Sequence, residues 1–373
     1  MLLSVSSRRR LLRLAFVLTF TASLYGQPAT QPVQERVFQL NTTVDAEFKE
    51  ASQIFTAITG LQSTSNAEAK TIAVRGTPGE LALADWVAAR LDAPAALNQP
   101  VARYDFDAAP DGATAVRFLY LHAGATPQQI NQAANVVRTL SEIQRMMTES
   151  SRRAIVLRAT PAQADLAAWI VNTLDNPRDQ AGPATYFYPA GGKETAVRVL
   201  FLPRLTDAQS VNALNNAVRT LTHINRQFAL FDPNCLFVRS TPEQADLAQW
   251  VVEELGDPGA DARRAVPNIS VYEFNDPDRF IAPRVAEMSA VRIFRLASGT
   301  NPADLQRVVN TIRAETRVTS IFMISANSAI AMLGTPLQAS QAERIVEEWN
   351  QLPQSPASVS PNQRSGKNPG PAR

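Results

Sequence analysis

Four of the chain's Thr-Pro pairs recur at one point of a repeated pattern: Thr77-Pro78, Thr160-Pro161, Thr241-Pro242 and Thr335-Pro336. Each follows a β-branched or aliphatic run and precedes a helical pattern, and the third residue after each threonine is Glu80, Gln163, Gln244 or Gln338. Thr at the N-cap, Pro in the first turn and Glu or Gln at N3 form a capping box. The hydroxyl takes the N3 amide, the Glu or Gln side chain reaches back to the N-cap amide, and proline has no amide to satisfy. Behind three of these starts lies the same apolar stripe: Leu83, Trp86, Val87, Leu91; Leu166, Trp169, Ile170, Leu174; and Leu247, Trp250, Val251, Leu255. A period of this kind means an array of similar units, and it governs every other reading of the chain.

The upstream half of the unit repeats as well. Ala115-Val116-Arg117-Phe118-Leu119-Tyr120, Ala196-Val197-Arg198-Val199-Leu200-Phe201 and Ala290-Val291-Arg292-Ile293-Phe294-Arg295 read as strands, with a shorter first version around Val37-Phe38-Gln39-Leu40. Helix starts follow, Thr126-Pro127-Gln128-Gln129 and Thr206-Asp207-Ala208-Gln209 among them, again in capping-box form. A hairpin comes next, turning at Asp232-Pro233-Asn234 in the third copy and around Ala326-Asn327 in the fourth. One unit is thus strand, helix, strand, strand, helix. A further strand carrying Tyr104 and Phe106, Tyr186 and Tyr188, or Tyr272 and Phe274 leads into units two, three and four. The predicted divisions are 33–94, 101–177, 184–258 and 268–353, joined at Asp175-Asn176-Pro177 and Gly256-Asp257-Pro258, where proline stops a helix. Each unit is expected to close its own apolar centre. The last residues, 354–373, are rich in Pro, Ser, Asn and Gly and are predicted to be disordered.

Residues 1–26 stand apart. Arg8, Arg9, Arg10 and Arg13 precede the apolar stretch 14–25, the layout of a secretory signal peptide, with an uncleaved anchor as the rival reading. Ser7-Arg8-Arg9-Arg10-Leu11-Leu12 also resembles a twin-arginine signal. The chain is therefore expected to be periplasmic or otherwise exported, with no stable membrane span once the leader is removed. The whole sequence has 36 Lys and Arg against 34 Asp and Glu. The leader and the tail both contain bases and no acid, so the part that folds is net acidic and offers no broad phosphate-binding field. Cys235 is the only cysteine, so no intramolecular disulfide is available and stability must come from packing.

The strand type Val-Arg-Phe-Leu-Tyr-Leu, the capped helix, the Asp-Pro-Asn turn into an apolar strand, then Arg-Ala-Thr-Pro-Ala-Gln and a helix ending Asn-Thr-Leu-Asp-Asn-Pro resemble the periplasmic N-terminal repeats of secretins. Those are the ring-forming outer-membrane channels of type II secretion and type IV pilus systems. The resemblance implies an α+β fold of small KH-like βαββα modules, two helices on a three-stranded sheet, that contact other envelope components. It implies secretin, pilus or secretion components as protein partners and allows a homo-oligomer. Nothing after Pro353 reads as a channel-forming region, so pore activity does not carry over.

No residue pattern points to catalysis, a cofactor or a metal. Trp86, Trp169 and Trp250 lie on a helical apolar stripe, which predicts packing rather than ligand stacking. Asp165 and Asp246 recur near helix N-termini, where the dipole favours a carboxylate. His122 and His223 fall in different units without further donors at ligand spacing, and Cys235 opens an apolar strand. Gly76 to Gly79 and Gly256 to Gly259 have the spacing of an RNA-gripping clamp but stand at a cap and at a joint, so no nucleic acid is expected. The expectation is a non-enzymatic, exported assembly or scaffold protein of the cell envelope. A periplasmic ligand-binding scaffold, or an exported enzyme with a site between modules, is the alternative.

Overall fold

The computed structural model describes residues 33–41, 44–93, 101–107, 109–176, 182–189, 192–205, 207–256, 268–274, 290–296, 300–325 and 328–351. The leader, the tail, the centres of the joints and the turn at Ala326-Asn327 lie outside the described residues. Module 1 runs β1 (Gln34–Gln39), α1 (Asp45–Thr59), β2 (Ser63–Asn66), β3 (Thr71–Gly76), α2 (Pro78–Asp92). Module 2 adds a leading strand: β4 (Val101–Asp105), β5 (Ala115–Tyr120), α3 (Pro127–Ser141), β6 (Arg145–Glu149), β7 (Ala154–Ala159), α4 (Pro161–Asp175). Module 3 repeats that order with β8 (Ala184–Phe187), β9 (Ala196–Phe201), α5 (Ala208–Thr222), β10 (Arg226–Leu230), β11 (Cys235–Ser240) and α6 (Pro242–Leu255). Module 4 comprises β12 (Asn268–Glu273), β13 (Ala290–Arg295), α7 (Pro302–Thr316), β14 (Ser320–Ile324), β15 (Ala329–Gly334) and α8 (Pro336–Gln351).

Every sheet is antiparallel. Module 1 has three strands in the order β1-β3-β2; in the others the leading strand becomes a fourth, as in β4-β5-β7-β6. The predicted α+β array of four two-helix modules is what the chain forms.

The capping boxes explain where the second helices begin. Thr77, Thr160 and Thr241 each accept the N3 amide while the N3 side chain takes the N-cap amide, and Thr335 with Gln338 does the same. Gln163, Gln244 and Gln338 also tie the two helices of a module together. The side-chain amide of each donates at 3.0 Å to a carbonyl at the end of the same module's first helix, that of Ser141, Thr222 or Thr316. A glutamate cannot donate, which accounts for glutamine at three of the four starts. One predicted start is corrected. The cap of α5 is Asp207, whose carboxylate accepts from Ser210 N at 2.8 Å, and the predicted cap Thr206 lies outside the described residues.

The larger correction concerns the cores, because the modules do not close their own apolar centres. Alternate residues of one strand belong to different cores. Ala115 and Leu119 of β5 and Ile155 and Leu157 of β7 pack with α3 and α4, whereas Val116, Phe118, Ala154 and Val156 pack with the helices of module 1. At the next boundary Leu236 and Val238 of β11 face their own helices, while Cys235 and Phe237 face those of module 2. In module 4, Phe294, Ile330 and Met332 face inward, and Val291, Ile293, Ala329 and Ala331 pack on module 3. The helix pairs of modules 1, 2 and 3 are therefore each clasped between their own sheet and the next one, and α7 and α8 form the last layer. The molecule is a stack of eight layers, sheet and helices alternating. A sheet covered on both faces needs apolar residues on both, so these strands are continuous apolar runs without the alternation of a half-exposed strand.

Candidate contact surfaces

At the boundaries between modules, aromatic pairs and arginines add to the shared apolar cores. Trp86 meets Tyr104 at a ring distance of 5.4 Å, Trp169 meets Tyr186 at 5.5 Å and Trp250 meets Tyr272 at 5.4 Å. In each pair the tryptophan is on a second helix and the tyrosine on the leading strand of the following module. These tryptophans thus pack, as the sequence predicts, but across a boundary and half-buried instead of inside one module.

Arg158 and Arg239, two residues before the second and third of these Thr-Pro pairs, anchor the boundaries below their sheets. Arg158 Nη1 donates to the carbonyls of Thr59 (2.9 Å) and Ile58 (3.4 Å) at the end of α1. Arg239 Nη1 donates to Leu140 O at 2.6 Å at the end of α3, and also reaches Glu142 at 3.4 Å. A helix C-terminus exposes unpaired carbonyls and the negative end of its dipole, so a guanidinium is a fitting cap. Each guanidinium also lies over an aromatic ring following the leading strand, Arg158 over Phe106 at 4.9 Å and Arg239 over Tyr188 at 4.4 Å. Leu333 holds this position in module 4, where Arg295 takes over by donating to Glu254 O at 3.0 Å and to its carboxylate at 2.6 Å. Sequence reading missed these arginines. Their signal was Arg75, Arg158 and Arg239 at one offset from the cap.

The two ends of the stack are chemically different from its boundaries. On the outward face of the first sheet stand Glu35, Val37 and Gln39 of β1 and Thr71, Ala73 and Arg75 of β3. At the other end, the positions that α3 fills with Val136 and Leu140 are Thr311 and exposed Glu315 in α7, and the tryptophan position is Arg344, paired with Glu315 and Glu348 at 3.7 Å. Polar terminal faces are what keeps a repeat array soluble.

The remaining sequence candidates have well-defined surroundings. Asp246 binds Arg198 at 2.8 Å, and Asp165 lies close enough to Tyr186 to raise its phenol, after burial as the main cause. His122 accepts from Gly124 N at 3.1 Å through Nδ1, far along the chain from His223, whose burial depresses its imidazole. Cys235 is fully buried and its thiol is pushed up by that burial, the reverse of an activated nucleophile. Gly76 ends β3 and Gly256 ends α6, so neither lies in a clamp between paired helices. Among the described residues no group of three or more His, Cys, Asp or Glu could hold a metal ion, and no helix is long and apolar enough to cross a membrane. Two open concavities stand out, one of about 440 Å³ beside the uncovered end of β9, lined by Pro183, Leu200, Phe201 and Val252, and one of about 710 Å³ on module 1 around Glu35, Thr64 and Arg75.

No family model and no curated protein matches the chain. Among solved structures, Aeromonas hydrophila ExeD is similar at 12% identity over 60% of this chain and 41% of its own, with a TM-score of 0.14. The pilotin-secretin AspS-GspD complex of ETEC gives 14% identity over 84% of this chain and 54% of its own, TM-score 0.15. Aspartate kinase from Synechocystis gives 13% over 89% and 57%, TM-score 0.16. The chain spans about half the length of these chains. At such TM-scores the kinase stands level with the secretins, and none of the three assigns a function.

Proposed function

We propose that the chain is a non-enzymatic, exported scaffold of the cell envelope that works through protein contacts, in the service of a secretion or pilus machine. One observation carries the reading: the repeated polar residues are spent on locking four modules into one stack, and what remains outside is sheet edges and polar end faces. Seven spacings of about 10 Å between layers make that stack roughly 70 Å long, a stiff spacer. The secretin-like repeat pattern of the sequence supplies the choice of machine.

The test joins localisation to interaction. The processed chain is expected in the periplasmic fraction and to co-purify with the periplasmic region of the secretin of the same cell, and deleting the gene is expected to impair secretion or piliation. A chain that stays in the cytosol, or whose loss leaves both processes intact, contradicts the proposal. The groove beside β9 favours a second reading, a ligand-binding scaffold, which an apolar fluorescent probe displaced from Phe201 and Val252 would support.

A further inference from the structure

In modules 2, 3 and 4 the outer flank of the strand that opens the repeat is filled by the leading strand, always in one register. Tyr104 stands opposite Val116, Tyr186 opposite Val197 and Tyr272 opposite Val291; two residues earlier a small side chain, Ala102, Ala184 or Ser270, stands opposite Phe118, Val199 or Ile293. In module 1 the matching strand is β1, and among the described residues that flank is unpaired. Pairing with β3 places Glu35 at the valine position, opposite Arg75 as Val116 is opposite Arg158, and Val37 at the position of Phe118.

A strand edge with free N–H and C=O groups is a template for another strand. Three features show what this edge is built to take. Val37 is 59% exposed and Val33 67%, an apolar margin on an otherwise polar end of the stack. Arg75 is the counterpart of Arg158 and Arg239, each of which lies over an aromatic ring following its leading strand, yet Arg75 is largely exposed and, among the described residues, holds only Glu35, at 2.7 Å. The third feature is chain length. With the expected leader, residues 1–26, removed, residues 27–33 would precede β1. That is shorter than the connection from Asp105 to Ala115 alone, before any strand is counted.

We propose that β1 of the processed chain is an acceptor edge that takes, antiparallel, an extended segment of a partner protein with the pattern small-x-Tyr-x-aromatic. The small residue faces Val37, the tyrosine faces Glu35, and the second aromatic lies over the Arg75 guanidinium. A second copy of this chain is the poorer occupant, because the one ring of β1, Phe38, is buried in the module 1 core and leaves none for Arg75. The inference deepens the scaffold reading and rests on it: it names the edge and the chemistry through which contact is made.

The probe is a fluorescein-labelled peptide of residues 100–108 of this chain, which contains β4 and Phe106, added to processed protein whose N-terminus has been read by mass spectrometry. Saturable binding is expected, with slower hydrogen exchange in β1. Arg75→Ala in the protein, or Phe106→Ala in the peptide, is expected to weaken binding roughly two- to fivefold, the range of an exposed cation–π contact. Arg75 is exposed and pairs with an exposed Glu35, so the Ala variant is expected to fold and to read binding. No saturable binding, protection elsewhere with β1 unchanged, or β1 already protected in a chain that retains its own residues 20–26 would each overturn the proposal. Co-purification with a secretin in the face of such a result would leave the scaffold reading standing without this edge.

Discussion

Arg75, Arg158 and Arg239 share one position of the repeat and differ in what lies opposite. Arg239 is buried against Tyr188 and the end of α3, so its removal strands Leu140 O and loses a charge-assisted bond. Arg239→Ala is expected to lower stability by about 2 kcal/mol, and Arg75→Ala by less than about 0.5 kcal/mol, as for an exposed pair; urea titration of both variants measures the contrast. His223 ends α5 at a φ of +54°, with Nε2 buried and without a hydrogen-bond partner. Burial depresses its pKa below the ordinary imidazole value of 6.5, so the unfolded chain binds the proton first. The contribution is fully present above pH 6.5 and is lost as pH falls from there through the depressed folded value. His223→Asn, which tolerates the left-handed backbone, is expected to flatten the slope of melting temperature against pH below 6.5; an unchanged slope contradicts the burial argument.

The elements show which parts of the architecture the sequence displays. Capping boxes mark the second helices because the cap is a local interaction of four residues. The strands are equally visible, and their double coverage is written in the same residues. Cys235-Leu236-Phe237-Val238 and Ala329-Ile330-Ala331-Met332 have no alternation, whereas Gln34-Glu35-Arg36-Val37-Phe38-Gln39 has a single buried residue. What no local pattern reveals is the layer that covers the second face, since that depends on how consecutive modules meet. The arginine caps stayed hidden for the same reason, as their acceptors lie about a hundred residues upstream. Exchanging helix faces tests the distinction between boundary and end. Leu140→Glu, which writes the α7 residue into α3, buries an unpaired carboxylate and is expected to cost upwards of about 4 kcal/mol in a melt. The reverse set, Thr311→Val with Glu315→Leu and Arg344→Trp, is expected to leave folding intact and to produce concentration-dependent association in size-exclusion chromatography.

For the whole molecule, alternating layers mean that no module is an independent bead, and nearest-neighbour coupling should bind all four into one unfolding unit. The chain supplies its own probes, because Trp86, Trp169, Trp250 and Trp349 fall one to a module. The most direct measurement is equilibrium urea unfolding of four variants, each keeping a single tryptophan and carrying phenylalanine at the other three, with far-ultraviolet circular dichroism recorded beside the fluorescence. Shared cores predict that, within each variant, the tryptophan's transition coincides with loss of secondary structure in the whole chain. A module that melts in a separate transition while the rest of the chain keeps its secondary structure would contradict the stack.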